Sequence, residues 1–210
     1  MHLRTVANAS SDPTPRLAER YPRVAAYLES LPRGLASHPQ CEARSSIVVH
    51  FLAGTERVDE PLPREVAQLL TPPTTLWTPE VRLAATMLAV ADQERWSDAQ
   101  HQAWLLARNR ELLSGIVYRA LMAFLSPAAL LEKAAARWSS LHRGTELDVE
   151  RSGEREVVGR LSHPPRLFTA VAPAYGAAFQ AAIEHSRART ACVTVEDVTA
   201  TCATYRARWT

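Results

Sequence analysis

Lysine is almost missing from this chain. Of 24 basic residues only Lys133 is a lysine, and the rest are arginine. Glycine is scarce too, seven in 210 residues, and no glycines cluster where a phosphate could be cradled. No GxGxxG, GxxxxGKS/T, GxSxG or HExxH string occurs. Those absences exclude the common loop-built nucleotide sites, the nucleophile elbow and the helix-borne zinc site. Cys41, Cys192 and Cys202 are the only cysteines, and no CxxC is present. A zinc knuckle, a thioredoxin motif and a disulfide scaffold are therefore unsupported, and reduced thiols are expected. An excess of either charge is also missing, with 24 basic against 22 acidic residues and a net +2. A dedicated nucleic-acid surface would need a basic excess or stripe. No uncharged apolar run reaches the ~18 residues needed to cross a bilayer. The nearest, Leu112 to Leu125, is interrupted by Arg119. Met1-His2-Leu3-Arg4 opens without the apolar core of a signal peptide. The expectation is a cytoplasmic protein with no membrane span and no nucleic-acid partner.

What is present is an ordinary folding composition, 47% hydrophobic and 22% charged. The length suits one domain, 1–210, with a helical region over about 14–143 and a sheet region over about 145–210. A helical pattern runs from Arg16 to Ser30, with Pro22 marking a break or a first turn. Further helices are expected over 39–52, with Gly54 as C-cap, and over 62–70. Thr78-Pro79-Glu80, Ser97 with Gln100, and Ser126-Pro127 sign three helix starts. They open helices over about 78–93, 97–125 and 126–142. The second half of the 97–125 helix is apolar almost all round, the signature of a buried central helix. After Gly144 the period changes from 3.6 to 2. Leu147 and Val149 alternate with acidic residues, Ser152-Gly153 marks a turn, and Val157 to Leu161 returns. A helix carrying Phe168, Ala172, Tyr175, Phe179 and Ile183 follows, then two more strands. The fold class is α+β: a multi-helix region packed on a four-stranded antiparallel sheet in the order strand–strand–helix–strand–strand. Two registers of the last hairpin stay open. A two-residue turn at Glu196-Asp197 puts Ala200 and Cys202 on the Val193 face, and one further loop residue puts Tyr205 and Trp209 there.

Chemistry-bearing residues are few. His50 lies in the apolar run 47–52 and reads as a satisfied helix histidine, because no second metal ligand stands at i+3 or i+4. His142-Arg143 reads as the cationic last turn of a helix. Arg206 and Arg208 alternate with Tyr205 and Trp209, the pattern of an amphipathic strand with arginines facing solvent. Cys192 and Cys202 could oppose one another across the last hairpin. Trp77, Trp96, Trp104 and Trp138 read as packing anchors. No catalytic residue, metal set or cofactor is indicated. An apolar ligand pocket is expected between Tyr118 and Met122 on the central helix and Tyr175 and Phe179 on the sheet-covering helix, and these four are its candidate walls.

Several strings occur together: Leu31-Pro32-Arg33-Gly34 with Ser37-His38-Pro39; Trp77-Thr78-Pro79-Glu80-Val81; Leu88-Ala89-Val90-Ala91-Asp92; Tyr118-Arg119-Ala120-Leu121-Met122; Ser126-Pro127; and Arg137-Trp138 with His142-Arg143-Gly144-Thr145. In this order they resemble an uncharacterised family of roughly 200-residue proteins known mainly from myxobacteria. More remotely, helices followed by two hairpins around a helix resemble the superfamily of haem–nitric-oxide-binding domains, vinyl-reductase-type ligand-binding domains and vesicle-tethering adaptor subunits. That resemblance implies a hydrophobic pocket or tunnel between helices and sheet, and often a dimer. The haem-binding branch carries Tyr-x-Ser-x-Arg; here the contexts of Tyr118 and Tyr205 read YRALM and YRARW. The function expected is therefore a non-enzymatic ligand-binding or sensory module for a small hydrophobic molecule. The alternative is an interaction adaptor that forms a homodimer or binds a partner protein without a ligand.

Overall fold

The computed structural model describes residues 13–53, 55, 62–115, 125–186 and 188–210. Pro22 separates α1 (Pro13–Arg20) from α2 (Pro22–Ser30), because proline lacks the N–H that a continuous helix would use there. The stretch expected as one helix over 39–52 divides instead. Glu42–Arg44 is strand β1, and only Ser45–Leu52 is helix α3. The expected C-cap, Gly54, lies outside the described residues. After α4 (Arg64–Leu69) comes strand β2 (Trp77–Pro79), which pairs antiparallel with β1. Thr78 is thus a buried strand residue opposite Ala43 and not a helix cap. Helix α5 (Glu80–Gln93) starts after Pro79. Every residue from Glu80 to Asp92 except Arg82 is buried, and its alanines let neighbouring elements approach closely.

Ser97 and Gln100 form the expected capping box and open α6 (Asp98–Leu113). The rest of that expected helix, 116–124, lies outside the described residues. Ser126 caps α7 (Pro127–Ala136), its Oγ accepting from the Ala129 N–H at 3.3 Å. The helix expected over 126–142 ends there. His142-Arg143 form β3, the third strand of the small sheet, in the order β2-β1-β3. They are not a cationic helix end. The Arg143 guanidinium lies 3.7 Å from the centre of the Trp77 ring, with that of Arg44 at 4.4 Å.

The period-2 region forms the sheet that was expected. Strands β4 (Glu146–Gly153) and β5 (Glu156–Ser162) precede helix α8 (Ala172–Glu184); β6 (Ala191–Val198) and β7 (Cys202–Trp209) follow it. The antiparallel order is β4-β5-β7-β6. Phe168 falls before α8 and not on it. Of the two registers, the one with Tyr205 and Trp209 on the Val193 face is found: Val195 pairs with Tyr205 and Ala191 with Trp209. A bulge between Val195 and Asp197 absorbs the odd residue, so the turn moves from Glu196-Asp197 to Thr199–Thr201. Cys192 consequently faces Arg208 and Cys202 faces Ser162, and the two thiols do not oppose each other. Ala203, Tyr205 and Ala207 are buried under α8, while Arg206 on the other face pairs with Glu156 and Glu196. One cluster of buried side chains runs from Leu17 and Val24 through α5 to Leu161, Phe168 and Tyr205. Among the described residues no helix is long and apolar enough to cross a membrane.

Candidate functional site

A cleft of about 770 Å³ opens where α2, α6, the start of α8 and the tip of the β6–β7 hairpin meet. Its body is apolar, built from Ala26, Leu88, Leu105, Val171 and Ala174. Five separate stretches of chain supply the cleft lining, and bonds that cross the fold place them. The Tyr27 hydroxyl donates to the Leu167 carbonyl at 2.9 Å, tying α2 to the turn before α8. Arg23 ties α2 to the end of α5. Its N–H and that of Val24 donate to Asp92 Oδ2 at 2.8 and 3.1 Å, and its guanidinium reaches Asp92, Asp98 and the Trp96 carbonyl. Asp92 thereby caps α2 from another helix, a role no local pattern reveals. Burial pushes the Asp92 carboxyl up, and the bonds from Val24 and Arg23 work against that.

His101 lines the same cleft from α6 and is half-buried. Its Nε2 is shielded from solvent and has no partner. Burial, followed by the nearby Arg23 charge, pushes its pKa down to about 4. The ring is neutral at neutral pH. The sign for stability follows directly. Between about pH 6.5 and 4 the unfolded chain binds a proton that the folded chain refuses. His101 therefore costs no stability above that window and erodes it as pH falls through it. Solvent screening of a half-buried ring limits the loss to about 1–2 kcal/mol. Urea unfolding at pH 7 and pH 4.5 should show His101→Gln losing less stability on acidification than the wild type. An equal loss in both proteins would contradict this.

A second group of polar residues is fully enclosed. Glu80, the first residue of α5, has no exposed surface. His142 Nδ1 donates to its Oε1 at 2.6 Å, and the Tyr175 hydroxyl donates to its Oε2 at 3.3 Å. Trp138 stacks on the His142 ring at 4.2 Å and donates its own N–H to Thr145. Burial first, and then the Glu80 charge, push the Cys41 thiol up to about 11 and raise the hydroxyls of Tyr27 and Tyr175. These groups hold their protons at neutral pH. The cluster joins α5, β3 and α8, and its chemistry is that of a staple.

Of the four pocket residues expected from sequence, Tyr175 and Phe179 are buried on α8. Tyr175 bonds Glu80 and packs on Phe168 at 4.5 Å, and Phe179 meets Tyr205 edge-on at 5.1 Å. The space beside Phe179, over the sheet, is about 10 Å³, about what one water needs. Tyr118 and Met122 lie outside the described residues. His50 Nε2 donates to the Arg108 carbonyl at 2.8 Å, as a satisfied helix histidine should. Among the described residues no group of three His, Cys, Asp or Glu side chains converges to hold a metal. The residues that sequence reasoning missed are Arg23, His101, Arg166 and the alanines of the cleft. None carries a motif, because the site is assembled from distant segments.

This arrangement of helices over a four-stranded sheet has counterparts among solved structures. The Fe(II) unliganded H-NOX protein from K. algicida superimposes with a TM-score of 0.55, covering 80% of this chain and 96% of that one at 14% identity. An H-NOX structure solved to probe heme distortion in that family gives 0.52, with 79% and 94% coverage at 8% identity. A third, on the mechanism of H-NOX activation, gives 0.52 at 9% identity, covering 79% of this chain and 96% of that one. At such identities the likeness is one of fold. No curated protein matches the chain in sequence. A family model described as "Protein of unknown function (DUF2378)" matches residues 73–210, from the loop before β2 to the C-terminal strand. The chain belongs to that family, and its fold is the H-NOX-like one.

Proposed function

We propose that the protein is a ligand-binding module of sensory type that takes a small, largely apolar molecule in the cleft between α2, α6 and α8. The observation that carries this reading is the 770 Å³ opening, within the 300–1,000 Å³ range of small-molecule sites. The H-NOX-like fold supports it as analogy only. The pocket expected between Tyr118 and Met122 on one side and Tyr175 and Phe179 on the other is a separate proposal, since Tyr118 and Met122 lie outside the described residues. Heme, named with one of the H-NOX structures, does not fit the described residues of this cleft. An axial ligand would be an open imidazole, thiolate, thioether or phenolate; among the described lining residues His101 Nε2 is sealed off and the Tyr27 hydroxyl is bonded to the Leu167 carbonyl. Arg23, which could face a propionate, is already neutralised by Asp92 and Asp98.

Decanol is a suitable neutral probe. A ligand at about 100 times its Kd adds about 2.7 kcal/mol, a rise of roughly 5–10 °C in Tm for a chain of this size. Ala26 is exposed at the cleft, so Ala26→Trp fills the opening without touching the core. A saturable rise in the wild type that Ala26→Trp abolishes is the expected outcome. No rise with the wild type would contradict the reading. It would leave the second one, an interaction adaptor or homodimer without a ligand. One observation favours that alternative: Leu76 and Leu141 are both strongly exposed. Their carbonyls flank the same two residues, accepting from Ser45 and Arg44.

A further inference from the structure

We propose that the molecule held in this cleft carries a carboxylate, and that Arg166 is the residue that receives it. This rests on the cleft being the ligand site. Arg166 belongs to the turn between β5 and α8 and lines the cleft opening with its side chain exposed. Its backbone sits at φ +65°, a left-handed conformation that costs a non-glycine residue about 1 kcal/mol or more. The turn is held there from three directions. The Arg166 N–H donates to the Ala200 carbonyl at 2.6 Å, His38 Nε2 donates to the Pro165 carbonyl at 3.1 Å, and the Tyr27 hydroxyl holds the Leu167 carbonyl. Glycine would sit in this conformation without strain. An arginine kept there should be doing something with its side chain. Within the fold it does little: its Nη1 reaches the Ser30 carbonyl at 3.4 Å, and among the described residues it forms no ion pair.

The other cationic candidates on the cleft are spent. Arg23 is paired with Asp92 and Asp98, and His101 is uncharged at neutral pH. One unneutralised guanidinium therefore stands at the mouth of an apolar cavity. That combination fits an apolar body with a single anionic head, and a guanidinium receives a carboxylate through two parallel N–H bonds.

The test compares decanoate with decanol, below micelle-forming concentrations, by calorimetry on the wild type, Arg166→Asn and Arg166→Gly. Asparagine and glycine both accept the left-handed backbone, so the turn is preserved while the charge is removed. Decanoate is expected to bind about 10-fold more tightly than decanol, and both substitutions to remove about that factor for decanoate while leaving decanol within about 2-fold. Melting temperature of the unliganded variants should stay level or rise, because strain is relieved. Equal affinities in the wild type, or decanoate affinity indifferent to Arg166, would overturn the carboxylate assignment. If Ala26→Trp still abolished binding in that case, the cleft would stand as a site. Binding of neither probe would remove the ligand-site reading as well.

Discussion

His142→Ala should lower the unfolding free energy by about 3 kcal/mol or more, the usual consequence of leaving a buried acidic group without its hydrogen-bond partner. Against a total of about 5–15 kcal/mol for an ordinary domain, that is about a fifth or more of the stability. The reason lies in what remains. Glu80 has no exposed surface, and His142 is its close partner at 2.6 Å. Once the imidazole is gone, the Tyr175 hydroxyl at 3.3 Å is left as its side-chain donor among the described residues. Water cannot easily substitute, because Trp138 and Tyr175 pack around the vacated position. Replacing both members together, Glu80→Leu with His142→Phe, should cost less than His142→Ala alone, because no orphaned polar group is left. Urea denaturation of the three variants gives the comparison. A loss under about 1 kcal/mol for His142→Ala would mean that the staple does not hold α5, β3 and α8 together.

Gly144→Ala is expected to cost about 3 kcal/mol or more, for two separable reasons. Gly144 sits at φ +70°, where any β-carbon carries a penalty of about 1–2 kcal/mol. A β-carbon there would also meet the Gln40 carbonyl oxygen at 2.6 Å and the Cys41 sulfur at 2.8 Å. The carbonyl belongs to backbone and cannot swing away. The chain has to shift, and with it β1 and β3, since Cys41 Sγ also donates to the Gly144 carbonyl at 3.2 Å. At Gly34, also left-handed at φ +50° but with open space around it, Gly34→Ala should cost only the conformational part, about 1 kcal/mol. Thermal unfolding of the pair checks this. Equal losses at the two positions would show that the close approach at Gly144 carries no weight.

How much of this was legible in the sequence follows from the range of each interaction. The capping box at Ser97 and Gln100 and the cap at Ser126 are written within four residues, and both are found. The alternation over 146–162 reads correctly because one face of a solvated sheet imposes period 2 on its own strand. The β1–β2–β3 sheet was not legible. Its strands are two or three residues long, and their partners lie far away in the chain, so local propensity read 42–44 and 78–79 as helix. His142 was misplaced for the same reason, with Glu80 62 residues distant. The last hairpin could not be registered because a bulge leaves no mark on composition. Arg166 was invisible in another way: a left-handed residue is announced by glycine or asparagine, and here neither is present. Tyr175 and Phe179 fall on α8 at the expected helical spacing and are buried, but sequence cannot tell packing partners from pocket walls.

The account stands or falls on where an apolar ligand enters. Amide and methyl chemical shifts of the labelled protein, followed during titration with decanoate, test this residue by residue. The predicted result is a set of saturable changes centred on Ala26, Leu105, Val171, Ala174 and Ala200, which share the cleft. Changes centred on Phe179 and the sheet beneath it, or scattered over the surface without saturation, would contradict it.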